Sequence, residues 1–220
     1  LGVIVSTLEN NYFFKKTTLS GQDIFLEERS VTATENAIMA AVLAKGQTIL
    51  RNAACEPHVA GLARMLNSMG AKIKGIGTNT LYIEGVDQLH GTEHMIGPDY
   101  LEAGGYIVLA AVTNSEITVK NVNPEDLLVI RSTYKKLGIE YETRGQEVFI
   151  PAGQKLVVEP DFAGDVPKID DGTWPAFPTD LMSIIIVAAT QAEGTVLIFE
   201  KMYDGRMFFV DYLISMGARI

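Results

Sequence analysis

Two short stretches hold the residues best suited to chemistry, Phe177-Pro178-Thr179-Asp180 and Tyr203-Asp204-Gly205-Arg206. A carboxylate within hydrogen-bond reach of a hydroxyl can take its proton and make it a competent nucleophile, which makes Asp180 a candidate general base. Asp180 also follows Pro178-Thr179 at the mouth of an apolar run, where helix capping alone would account for it. Amides at that helix start can meet an anion. Arg206 carries a planar guanidinium fork that matches carboxylate and phosphate groups, though a lone arginine is more often a surface ion-pair residue. Upstream, Ser30-Val31-Thr32 precedes a second apolar run, where backbone amides can approach a diphosphate and where Ser30 and Thr32 are also ordinary helix-start residues.

Other chemistries find little support. Cys55 is the single cysteine, which excludes an internal disulfide or a cysteine zinc cage and fits a reducing compartment. It reads as a partly buried structural thiol, with no cationic setting nearby to favour a thiolate. His58, His90 and His94 have no metal-ligand spacing and read as surface or loop residues. A formal charge of -9 argues against a nucleic-acid partner. It leaves room for an anionic small ligand held by a few local basic groups. No run approaches the roughly 20 apolar residues that cross a bilayer, and the opening Leu1-Gly2-Val3-Ile4-Val5-Ser6 reads as a strand rather than a signal peptide. The expectation is a soluble, cytoplasmic protein without a membrane partner.

The elements that must position these residues recur. One copy runs from Thr34 through an Ala-rich apolar stretch to Lys45-Gly46, a β-branched strand at Gln47 to Asn52, and a helical stretch ending at Ser68-Met69-Gly70-Ala71. A second runs from Tyr100 through Glu116-Ile117-Thr118-Val119-Lys120 to Leu137-Gly138-Ile139, and a third from Thr179 through Gly194-Thr195-Val196-Leu197-Ile198 to Ser215-Met216-Gly217-Ala218. The period is roughly 70 to 80 residues. Each Ala-rich stretch reads as a buried helix, and each second helix shows apolar residues three and four apart: Val59, Leu62, Met65, Leu66 and Met69 in the first copy, and Phe209, Leu213 and Met216 in the third. The glycine after that helix suits a left-handed cap. Two short strands close the unit where the chain allows, Ala71 to Lys74 with Thr80 to Glu84 and Ile139 to Thr143 with Glu147 to Ile150. The chain is thus read as α/β, built of repeated β-α-β-α-β-β units. Asp161 to Thr173 reads as a solvated loop, and Tyr203, Phe208 and Phe209 as mostly core. The third copy stops at Arg219-Ile220 inside a closing hairpin and position 1 is Leu, so the chain is expected to be truncated at both ends.

The repeat resembles the enolpyruvyl transferases, in particular the UDP-N-acetylglucosamine 1-carboxyvinyltransferase branch. Four motifs carry the resemblance: Ser30-Val31-Thr32-Ala33-Thr34-Glu35-Asn36, Asn52-Ala53-Ala54-Cys55-Glu56-Pro57, Phe177-Pro178-Thr179-Asp180, and Tyr203-Asp204-Gly205-Arg206-Met207-Phe208-Phe209-Val210. The resemblance implies an inside-out α/β barrel of two lobes and six units, with the active site between lobes. Residues 1–97 would belong to the first lobe and 98–220 to the second, crossing near Gly97-Pro98-Asp99. It implies transfer of an enolpyruvyl group from phosphoenolpyruvate to the 3-hydroxyl of UDP-N-acetylglucosamine, the first committed step of peptidoglycan synthesis, with no metal or organic cofactor. Glu28, Arg29, Ser30, Val31, Asp180 and the backbone near Met202 would contact the sugar nucleotide. Asp180 would accept the 3-hydroxyl proton, and Arg206 would line the same cleft.

Several positions depart from the family pattern. Glu28 stands where a basic or small residue is usual, so Arg29 must supply the cation. Tyr100 stands where arginine is common, and His58 where glutamate often is. The family's loop with a reactive cysteine, its N-terminal Lys-Asn pair and its later Asp and Arg groups lie outside this sequence, and the chain alone is expected to be inactive. Two alternatives stand beside this reading: the related transferase acting on shikimate 3-phosphate, and a noncatalytic repeat domain that binds protein or RNA.

Overall fold

The computed structural model describes residues 1–220, the side chain of Lys16 excepted. The chain divides into two compact units, Leu1–Gly97 and Pro98–Ile220, each with its own cluster of buried side chains.

The first unit opens with an antiparallel hairpin, β1 (Val3–Leu8) and β2 (Asn11–Lys16), with Val5 opposite Phe14 and Ser6 opposite Phe13. There follow β3 (Asp23–Phe25), α1 (Val31–Ala41), β4 (Gln47–Arg51), α2 (Pro57–Ser68), β5 (Lys72–Lys74) and β6 (Thr80–Glu84), the predicted β-α-β-α-β-β order. The sheet runs β3-β4-β6-β5, parallel between β3 and β4 and antiparallel elsewhere. Alternation along β4 and β6 buries Thr48, Leu50, Leu81 and Ile83 against Ile38, Val59, Ala63 and Leu66 of the two helices. Thr34 fastens α1 to the following loop: its buried hydroxyl donates to the Ser30 carbonyl at 2.7 Å and accepts from the Ala54 amide at 2.9 Å.

In the second unit α3 (Tyr100–Val112) begins at Asp99, whose carboxylate accepts from the Leu101 and Glu102 amides. Tyr100 is buried with its ring 5.1 Å from that of Trp174, which gives the departure at this position a packing role. Then come β7 (Ile117–Lys120), a 3-10 turn over Pro124–Leu127, α4 (Leu128–Lys135), β8 (Glu142–Arg144) and β9 (Glu147–Ile150), with β9 central in an open sheet. Next follow β10 (Lys168–Asp170), a 3-10 turn over Thr179–Leu181, α5 (Met182–Thr190), β11 (Leu197–Phe199) parallel to β10, and α6 (Val210–Ser215).

One cap ends the second helix of all three copies. Gly70, Gly138 and Gly217 have φ of 99°, 73° and 101°, and the next amide reaches back to Leu66, Tyr134 and Leu213 respectively. Gly2, with φ of 100°, stands before β1 as Gly70 stands before β5, so the opening hairpin has the form of the closing hairpins.

Three expectations need correction. Asp161 to Thr173 is not simply a solvated loop: it contains β10, and Ile169 and Asp171 are buried, because this is the opening strand of the third copy and pairs with β11. The second copy has no such strand, since residues 85–99 form none of the described ladders. Tyr203 and Phe208 are exposed rather than core, and Met216 is 82% exposed, because no layer of the described unit covers that side of Tyr203 to α6.

Candidate functional site

The chemistry-bearing corner of the second unit is built from the residues entering α5. Phe177 and Leu181 are buried and pin the chain on either side of Asp180, and the Gly172 amide donates to the Phe177 carbonyl at 3.0 Å. The Asp180 side chain, 61% exposed, is left facing outward. It caps nothing: Pro178 and Leu181 hold the cap positions, and neither helix start receives a side-chain hydrogen bond. Capping therefore does not account for this carboxylate.

Its partner is Arg206. One guanidinium nitrogen donates to the Thr179 carbonyl at 2.9 Å, and the other lies 3.3 Å from the Asp180 carboxylate. The same guanidinium sits 5.1 Å from the centre of the Tyr203 ring. Two residues 26 apart in sequence are thus brought together, giving an accessible acceptor beside a cation. Met202 lies in the turn between β11 and Arg206, and its amide donates to Glu200 at 2.8 Å.

In the first unit Ser30 is the N-cap of α1, its hydroxyl accepting from the Ala33 amide at 3.2 Å. The helix begins at Val31, so Val31 and Thr32 form its first turn rather than preceding it. The Val31 side chain packs on the core, and the Glu28 side chain is exposed. Arg29 reaches Asn52, 3.4 Å from its side-chain oxygen. Cys55 is half-buried, and burial pushes its thiol up, with Glu56 adding to the effect and Arg29 opposing it; such a thiol makes a poor nucleophile. His58, His90 and His94 are exposed, and no group of metal-binding side chains is found among the described residues.

An apolar groove of about 340 Å³ lies among Gly105, Val108, Leu109, Ser183, Ile184, Val187 and Phe209. With Ser183 its one polar side chain, it is unsuited to a multiply charged substrate. Sequence reasoning passed over Glu200, Asp171 and the side-chain role of Asn52. The detectable signal for Glu200 and Asn52 was their shared place, directly after the second strand of a copy.

The chain is α/β, built of repeated units, with a carboxylate and a guanidinium meeting at the entry to α5. The chain belongs to the EPSP synthase (3-phosphoshikimate 1-carboxyvinyltransferase) family, whose model matches residues 1–220. It is similar to proteins named UDP-N-acetylglucosamine 1-carboxyvinyltransferase. That of Borreliella burgdorferi is 56% identical over 100% of this chain and 52% of its own length, and that of Treponema denticola 57% identical over 100% and 51%. The chain thus spans about half the length of the curated relatives it matches. Among solved structures, the enolpyruvyl transferase NikO from Streptomyces tendae superposes with a TM-score of 0.82 at 18% identity, covering 99% of this chain and 53% of that one. EPSP synthase from Acinetobacter baumannii gives 0.64 at 20% identity, covering 97% and 50%. At such identities the likeness speaks for the fold.

Proposed function

We propose that this chain supplies acceptor-activating and nucleotide-binding parts of an enzyme that transfers the enolpyruvyl group of phosphoenolpyruvate to the 3-hydroxyl of UDP-N-acetylglucosamine, the entry to peptidoglycan synthesis. The observation that carries the reading is the Asp180–Arg206 pair, 3.3 Å apart and accessible, in a chain 56% identical to a relative bearing that name. Asp180 takes the hydroxyl proton as the sugar oxygen bonds to C2 of phosphoenolpyruvate and the π pair takes up a proton at C3; loss of a C3 proton then re-forms the double bond as the C2–O bond breaks and inorganic phosphate leaves. Arg206 holds the carboxylate in place and offers a cation to the anionic co-substrate. Glu28, Arg29, Ser30 and Val31 contact the nucleotide, Arg29 supplying the positive charge. Met202 contacts it through its carbonyl, since its amide is engaged by Glu200. Neither metal nor organic cofactor is needed for this chemistry, and nucleic acid has no part in it. No helix of the described residues is long and apolar enough to cross a membrane, and a cytoplasmic enzyme acting on two small molecules fits this reading.

The test is phosphate release by the protein expressed from its full coding sequence, with phosphoenolpyruvate and either UDP-N-acetylglucosamine or shikimate 3-phosphate. The sugar nucleotide is expected to be the acceptor. Asp180→Asn should lower kcat by about 10²- to 10⁴-fold, the usual worth of a positioned base, with an unchanged melting temperature. Release with shikimate 3-phosphate alone, or a fully active Asp180→Asn variant, overturns the proposal.

A further inference from the structure

In each copy of the repeat one residue directly follows the strand after the Ala-rich helix: Asn52 after β4, Asn121 after β7, Glu200 after β11. Asn52 and Asn121 hold left-handed backbone, with φ of 55° and 56°, a conformation that asparagine tolerates better than most residues. The Asn52 side chain turns back to the segment that enters α1. Its amide nitrogen donates to the Leu26 carbonyl at 2.8 Å, and its oxygen lies 3.4 Å from Arg29.

Glu200 makes the equivalent connection at the entry of α5, with more bonds. One carboxylate oxygen accepts from the Met202 amide at 2.8 Å and the Tyr203 amide at 3.0 Å. The Thr179 hydroxyl lies 3.4 and 3.3 Å from the two oxygens. A single side chain therefore ties the corner that carries Asp180 to the turn that carries Arg206, and Arg206 closes the ring by donating to the Thr179 carbonyl. The base of that turn is held as well: the wholly buried Asp171 accepts from the Lys201 amide at 2.7 Å. In two copies of the unit, then, the residue at this place fastens the helix-entry segment in which the candidate ligand-binding residues lie.

We propose that Glu200 is a positioning residue for the acceptor-activating site, keeping Asp180 and Arg206 in register without itself touching substrate. The proposal rests on the reading of Asp180 as the proton acceptor. Its bonds are those of a hydrogen-bond acceptor to two amides and a hydroxyl, so a neutral side-chain carbonyl at the same place serves.

The protein expressed from its full coding sequence, with Glu200→Ala and Glu200→Gln, is compared in kcat, in KM for both substrates, and in hydrogen exchange at the Met202 and Tyr203 amides. Glu200→Ala should lower kcat about a hundredfold, the scale of a roughly 1 Å misplacement, and speed exchange at both amides. Glu200→Gln should stay within about threefold of the parent in kcat. Parental kcat in Glu200→Ala overturns the proposal. So does a Gln variant as damaged as Ala, which would make the charge, acting on substrate, the point. Should the Ala variant not fold, Thr179→Val decides: loss of one hydrogen bond to Glu200 should cost about tenfold in kcat, and no loss overturns the role. If the parent releases phosphate with neither acceptor, the reading of Asp180 fails, while unchanged amide exchange in Glu200→Ala separately sinks the positioning role.

Discussion

Asp180 and Arg206 show how a residue pair can be well defined and still contribute little to stability. At 3.3 Å, with the carboxylate 61% exposed, water competes for both charges, and such a pair is worth about 0–1 kcal/mol. Asp170 behaves differently. Hydrogen bonds from Lys168 at 2.7 Å and Lys201 at 2.9 Å hold its carboxyl at about 2, well below the ordinary 3.8. Because the folded state resists protonation more than the unfolded chain, it binds fewer protons between those values, and stability rises with pH across that window. The contribution is complete above about 4 and is lost as pH falls through about 2. Partial exposure limits it to about 1 kcal/mol. Asp170→Asn should therefore be less stable than the parent at pH 6, with the difference closing as urea melts are repeated from pH 4 down to pH 2. A difference that persists at pH 2 would show that Asp170 acts through packing instead.

The repeating elements were legible because local chemistry writes them plainly. Ala-rich apolar runs gave α1, α3 and α5, and a glycine in the left-handed region ends the second helix of each copy. What the sequence hid depends on pairing between distant segments. β10 is three residues long, and its Asp-Asp-Gly context is that of a loop. It becomes a strand only because β11, 29 residues on, lies beside it. The candidate site divides the same way: Asp180 and Arg206 could be picked by type, whereas the sequence marks only the place of Glu200 after its strand, and its role rests on three hydrogen-bonding neighbours. Helix packing leads to a prediction that propensity alone gets wrong. Gly104 and Gly105 are adjacent in α3, but a Cβ on Gly104 would lie 2.8 Å from Leu181 Cδ1 and 3.2 Å from the Tyr134 hydroxyl, whereas one on Gly105 would find Ile184 at an ordinary 3.6 Å. Tyr134 is wholly buried and donates to the Gly104 carbonyl at 3.1 Å, so it has little room to yield. Gly104→Ala should destabilise by about 1–3 kcal/mol through overpacking, while Gly105→Ala should stabilise by up to about 1 kcal/mol through backbone entropy. Denaturant midpoints of the two variants check this; equal shifts would refute the packing argument.

At the scale of the whole molecule the decisive feature is that each unit has a cluster of buried side chains of its own. The first is closed by Ile38, Leu50, Leu66 and Ile83 around one sheet and two helices. The second is closed by Ile107, Ile130, Tyr134 and Ile185. Between them residues 91–98 form no secondary structure and are exposed throughout, with Met95 90% and Ile96 86% accessible. A protease needs an extended, accessible stretch of backbone that it can draw into its cleft, and such segments are where nicking concentrates. Brief chymotrypsin treatment should therefore cut after Met95, as after the equally exposed Phe162, before it cuts Tyr134 or Phe177, which are buried. Each unit has an apolar core of its own, the condition for a domain to fold alone, so residues 1–97 and 98–220 produced separately should each keep their helical circular dichroism. Urea unfolding of the intact chain should then follow two transitions, each matching one isolated unit, because cooperativity is a property of a shared core. A single transition for the intact chain, or units that are unfolded when produced separately, would mean that neither core suffices by itself and that the boundary at Gly97 divides one cooperative body.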